Sequence, residues 1–73
     1  HLGVKINRMK EILFEVIQQN NFVTDLKSIV GSMPQKPLAS DMPFLFSALL
    51  HIAVEHGLSL AYGRQNIFLQ KLT

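Results

Sequence analysis

Seventy-three residues hold one domain at most, and a chain this short buries only about 60% of its unfolded surface, which leaves it marginally stable. Hydrophobic residues make up 48% of it and charged residues 16%, a poor balance for a lone domain that must keep its surface wet, so association is the natural remedy. No apolar run approaches the 18 or so residues that cross a bilayer, no stretch resembles a secretory signal, and zero cysteines exclude a disulfide framework and a thiolate metal site. The expectation is a soluble, intracellular protein without membrane contact. Because the chain begins at His1 rather than methionine, a fragment is expected, with residues 1–3 set aside as candidate non-native residues and a single domain over residues 4–73.

From Val4 to Gln19 the apolar residues Ile6, Met9, Leu13, Val16 and Ile17 recur at helical spacing, with Ile12 at the margin and Lys10, Glu11 and Glu15 opposite. This predicts a first helix. Phe14 lies off the stripe and is expected at the edge of the core. Asn20-Asn21 interrupts the pattern, Phe22-Val23 favours a short strand, and Thr24 is expected to cap a brief second helix. Leu26, Ile29 and Val30 form the buried side of that helix and Gly31 ends it. Ser32 to Asp41, with Pro34 and Pro37, reads as a loop.

Ser40 or Asp41 is expected to cap a third helix with Pro43 in its first turn, and Gly57 closes it. Leu58, Leu60 and Tyr62 then alternate as a half-buried strand. Gly63-Arg64-Gln65-Asn66 has turn chemistry, and Ile67 and Leu69 alternate with Phe68 and Gln70 as the returning strand. The fold expected is mainly α with a small β-hairpin, an α+β domain. Its order, helix, short strand, helix, helix and hairpin, is that of a winged helix.

The third helix is the most informative element. At about 100° per residue, Ser47, His51 and Glu55 share one polar strip, while apolar residues cover the remainder. A surface helix needs an apolar arc of little more than about 100° to pack on its own core, and this one offers roughly twice that. The excess calls for a partner. Winged helices most often bind DNA through this helix, steadied by Lys and Arg on phosphates. Here it carries neither. The seven basic residues are scattered, the formal charge is only +2, and Arg64 at the hairpin tip is left as a candidate DNA contact. A winged-helix DNA-binding domain is therefore the alternative function rather than the first.

His51 and His56 stand five residues apart, about 140° around a helix, so they cannot share a metal. His51 and Glu55, four apart, are expected to pair instead. Asp25 and Asp41 read as turn and cap residues, and Glu11 and Glu15 as a solvated face. No phosphate loop, nucleophile elbow or convergent carboxylate pair is present, so no enzymatic activity, metal or cofactor is expected.

Read as a string, Pro43, Phe46, Leu49-Leu50-His51-Ile52-Ala53, Glu55, Leu58 and Leu60 resemble the C-terminal segment of the condensin kleisin, the Barren family. That family's pattern runs Pro-x-x-Phe-x-x-Leu-Leu-His-Leu-Ala-x-Glu-x-x-Leu-x-Leu. Lys5, Met9-Lys10 and Phe14 stand where it shows Lys, Leu-Lys and usually Trp. Val54 departs from its common Asn, and Arg64 to Asn66 lacks the acidic residues it places before the last strand. The resemblance implies a winged helix that docks on the cap face of the κ-type ATPase head of an SMC (structural maintenance of chromosomes) protein, through its third helix and wing. Such docking closes the DNA-entrapping ring of chromosome condensation and segregation in the mitotic cell cycle.

It also implies a nuclear, chromosomal location, cytoplasmic for part of the cell cycle, with ATP and Mg belonging to the SMC partner. Other non-SMC subunits would bind parts of the subunit outside this chain, and DNA would be met indirectly through the ring. On this reading Phe46, Leu50 and Ala53 face the core, while Leu45, Leu49 and Ile52 face the head, extended by Phe44 and by Phe68 on the outer side of the wing. Self-association of two copies through the same stripe is a third reading.

Overall fold

The computed structural model describes residues 2–72, so the expectations for His1 and Thr73 lie outside the described residues. Helix α1, Leu2–Gln19, includes Leu2 and Gly3. It is followed by strand β1 (Val23–Asp25), helix α2 (Leu26–Ser32), a 3-10 turn at Ala39–Asp41, helix α3 (Met42–His56), and strands β2 (Leu58–Gly63) and β3 (Asn66–Lys71). The described residues form an α+β domain of three α-helices and a three-stranded antiparallel sheet of order β1-β3-β2.

Each helix end has a local cause. α1 stops where the Asn21 N–H reaches the Gln18 carbonyl and the Phe22 N–H reaches the Ile17 carbonyl, both at 3.0 Å, with Asn21 in the left-handed region at φ 58°. This is a Schellman ending with asparagine in place of the usual glycine. Phe22 follows at φ 62°, unusual for so bulky a residue. α3 ends at Gly57 as expected, φ 63°, its N–H returning to the Ala53 carbonyl.

Two caps differ from expectation. Asp25, not Thr24, caps α2: its carboxylate accepts the Ser28 N–H at 3.0 Å and the Ser28 hydroxyl at 2.7 Å, while Thr24 is held in the sheet opposite Leu69. α2 also runs through Gly31 to Ser32 and is capped by Met33. Gly31 is not in the left-handed region; the helix runs two residues past Val30, and the Met33 that caps it is buried in the core. Asp41 occupies the N-cap position of α3, but its carboxylate turns back to accept the Leu38 N–H at 3.0 Å.

The core is built from Leu13, Val16 and Ile17 of α1, Leu26, Ile29 and Met33 around α2, Leu45, Ala48, Leu49, Ile52 and Ala53 of α3, and Leu58 and Leu69 of the sheet. Among the described residues no polar side chain is buried with them. Phe14 lies at the core's edge, stacked on His56 at 4.3 Å and tilted against Phe22 at 6.0 Å. The short strand is more than a bridge to α2. It pairs Val23, Thr24 and Asp25 with Gln70, Leu69 and Phe68, covering the free edge of β3.

Candidate functional site

On α3, five buried positions, 45, 48, 49, 52 and 53, follow the i, i+3, i+4, i+7, i+8 spacing of a core-facing stripe. Leu45 is 0% exposed, and Leu49 and Ile52 are each 1% exposed. This corrects the facing expected from the sequence: Leu45, Leu49 and Ile52 pack inward and offer no surface to a partner. The physical reason is Ala48. Counting it with Ala53 makes the 45/48/49/52/53 set the fuller stripe, and its small side chains fit a helix packed close by.

The outward residues are Phe46 at 39% exposure, Leu50 at 57% and Val54 at 84%. Spaced four apart, they form one row along the helix, and exposed Pro43 begins it. Phe46 and Leu50 are thus the reverse of the inward pair expected, and Val54 had no assignment. Only Ala53 of that inward trio is buried. Of the polar strip beside the row, Glu55 reaches α1 while His51 is exposed. Glu55 pairs with Lys10 across the helices at 2.8 Å rather than with His51, and the Lys10 ammonium holds the Glu55 carboxyl below the usual carboxylate range. At the other end Lys5 reaches Asp41 at 3.2 Å and lies 4.6 Å over the Phe44 ring. Phe44, expected at the partner face, is therefore half-buried beneath a lysine of its own domain.

On the sheet, cross-strand partners share a face. Phe68 stands with Ala61 and Asp25 on the outer one, where Val23, Ser59 and Gln70 also lie. Phe68 is 44% exposed there, the side expected for it. Arg64 is exposed at the hairpin tip.

Between α1 and α3, beneath the Lys10–Glu55 pair, lies an open hollow of about 180 Å³ lined by Phe14, Ile52 and His56. Ligand sites for drug-sized molecules span about 300–1,000 Å³, so this hollow is too small to be one. His51 is exposed whereas His56 stacks on Phe14, and among the described residues no group of three or more His, Cys, Asp or Glu is placed to hold a metal ion. No described helix is long and apolar enough to cross a membrane. The site that stands out is a surface, the row of Pro43, Phe46, Leu50 and Val54. Comparison with protein-family models, with curated proteins and with solved structures finds no match to this chain.

Proposed function

We propose that this chain is a winged-helix interaction module, the C-terminal domain of a condensin-type kleisin, and that it docks on the ATPase head of an SMC protein to help close a DNA-entrapping ring. The observation that carries the reading is the second apolar stripe of α3: Phe46, Leu50 and Val54 stay exposed after the domain has formed its core, on a helix with no lysine or arginine. The string resemblance from Pro43 to Leu60 supports the same helix. In this reading the head contact is made by Pro43, Phe46, Leu50 and Val54, with Phe68 as the wing's contribution. ATP and Mg²⁺ belong to the head, and this chain supplies no chemistry of its own.

Burying one such side chain fully is worth about 1.5–3 kcal/mol, so a row of three supplies gross driving force that outweighs part of the association entropy. Co-purification with a panel of SMC heads tests it. Wild type is expected to bring down a κ-type head, and Leu50→Arg or Val54→Arg to abolish the capture with the circular dichroism spectrum unchanged. Failure of wild type to bind any head, or undiminished binding by both variants, would falsify the reading. Sedimentation of the isolated chain separates the self-association alternative, which requires a stable soluble dimer.

A further inference from the structure

The two edges of the sheet differ in how they are guarded. β1 is three residues long, its Val23 N–H is already bonded to the Asn20 carbonyl at 3.2 Å, and it ends on Asp25, so the edge it offers is short and charged, as the edges of monomeric sheets usually are. β2 lies at the other edge and has none of these guards. Its six residues, Leu58–Gly63, include no charged residue and no proline, and its pairing with β3 runs from end to end without a bulge.

The hydrogen-bond phase of that edge is fixed. The Leu72 N–H reaches the Gly57 carbonyl at 2.9 Å, which extends the β2–β3 register by one bonded pair, Gly57 with Leu72. Bonded pairs recur at every second position of an antiparallel ladder. Ser59, Ala61 and Gly63 therefore turn their backbone groups to β3, and Leu58, Leu60 and Tyr62 turn theirs outward. Asn66 holds this register: its Oδ1 accepts the Lys27 N–H at 3.1 Å and the Ile67 N–H at 2.9 Å, and its Nδ2 donates to Asp25 Oδ2 at 2.9 Å. This side chain ties the hairpin to the first turn of α2.

We propose that the β2 edge pairs with the β2 edge of a second copy, antiparallel about a two-fold axis at Leu60, joining the two sheets into one. Cross-strand partners must share a face, and outward-bonding residues must meet outward-bonding residues. With the axis at Leu60 both conditions hold at every outward position: Leu60 stands opposite Leu60, and Leu58 opposite Tyr62, each pair exchanging two backbone bonds. Between them Ser59 faces Ala61, small against small. An uncharged strand meets its own copy without like charges in register. Tyr62, 78% exposed in the single chain, gains Leu58 of the second copy as its neighbour. The same register carries each hairpin tip one residue past the other copy's Gly57. Arg64, which makes no ion pair among the described residues, then comes level with the C-terminal turn of α3, the negative end of that helix's dipole and the turn that holds Glu55. The contact makes no use of the outward row of α3, so this dimer and head docking can fail separately.

Sedimentation equilibrium from micromolar to millimolar concentration, with amide hydrogen exchange over the same range, tests it. One strand pair buries less than a standard interface of about 1,600 Å², so a reversible dimer is expected, its fraction rising with concentration while exchange at the Leu60 and Tyr62 amides slows several-fold. Ser59→Glu with Ala61→Glu sets carboxylates opposite one another in this register and is expected to leave a monomer. Ser59→Glu with Ala61→Lys sets opposite charges there and is expected to dimerise at least as tightly as wild type. Both positions lie on the outer face of the sheet, and circular dichroism checks that the fold is kept. Leu50→Arg, which is expected to remove capture by a head, leaves this dimer intact, whereas a dimer built on the α3 row is lost. A monomer at every concentration, a dimer indifferent to the doubly acidic exchange or not restored by the opposite charges, or one abolished by Leu50→Arg would each overturn the proposal.

Discussion

Helices α1 and α3 pack on one another, yet they distribute apolar residues in opposite ways. α1 has one stripe: Leu13, Val16 and Ile17 are buried, Ile6, Met9 and Ile12 are half-buried, and Asn7, Arg8, Glu11, Glu15 and Gln18 face solvent. α3 has two, an inward one that completes the core and an outward row of Phe46, Leu50 and Val54. The contrast separates what folding requires from what it does not. One stripe per helix is enough to close this core, so the second row on α3 has no internal use.

The comparison is tested most severely by truncating neighbours. Leu49→Ala or Ile52→Ala empties the core and is expected to cost about 2–5 kcal/mol, a large part of the stability of so small a domain. Leu50→Ala and Val54→Ala, one and two positions further along the same helix, are expected to stay within about 0.5 kcal/mol of wild type. Urea denaturation of the four variants reads the difference directly. Equal losses on both sides would mean that the outward row also serves the fold.

Next in size are the helix ends. α3 closes on Gly57 at φ 63° with open space around its Cα, so Gly57→Ala meets no clash and reports backbone strain alone, expected at about 1–2 kcal/mol. α1 closes on Asn21 at φ 58°. Asn21→Gly is expected to stabilise by a few tenths of a kcal/mol at most, because asparagine already tolerates this region. Opposite signs in thermal melts would sharpen the contrast between the two endings.

Much of this is legible in the sequence itself. The stripe of α1 was readable because polar residues back it, and the Gly57 stop because glycine is the residue that left-handed backbone favours. The hairpin was readable because Leu58, Leu60, Ile67 and Leu69 alternate. The inward side of α3 was not, since a helix apolar around most of its circumference gives periodicity no contrast, and only the small Ala48 discriminates between the candidate faces. The third strand was missed in its pairing because Val23–Asp25 is three residues long and its partner lies more than forty positions away. Glu55 was matched with His51 on its own helix because sequence spacing reveals i, i+4 neighbours and not a lysine delivered by another helix. The Asn66 tether has the same origin: an asparagine in a turn reads as turn chemistry, whatever it grips.

The smallest expected effect concerns acid. Asp25, Asp41 and Glu55 all hold their carboxyls below the ordinary range, each at a junction between elements. Asp25 is lowered first by Asn66 and then by Ser28, Asp41 first by the Leu38 N–H and then by Lys5, and Glu55 first by Lys10. A carboxyl whose folded value is depressed contributes stability that is complete above its unfolded value, near about 4, and is lost as pH falls through the folded one. The melting temperature is therefore expected to be level in these groups from neutral pH to about 5 and to decline below about 4. The causes then separate by salt. The Lys5 and Lys10 pairs that lash α1 to α3 and the turn before it are partly exposed and screened, whereas neutral donors to Asp25 and Asp41 are not. At about 1 M salt, where the screening length is only about 3 Å, the acid decline is expected to shrink without vanishing. Asn66→Ala is expected to shrink the remainder. A decline erased wholly by salt would assign it to the α1–α3 lashings alone and leave the hairpin tether without a part in it.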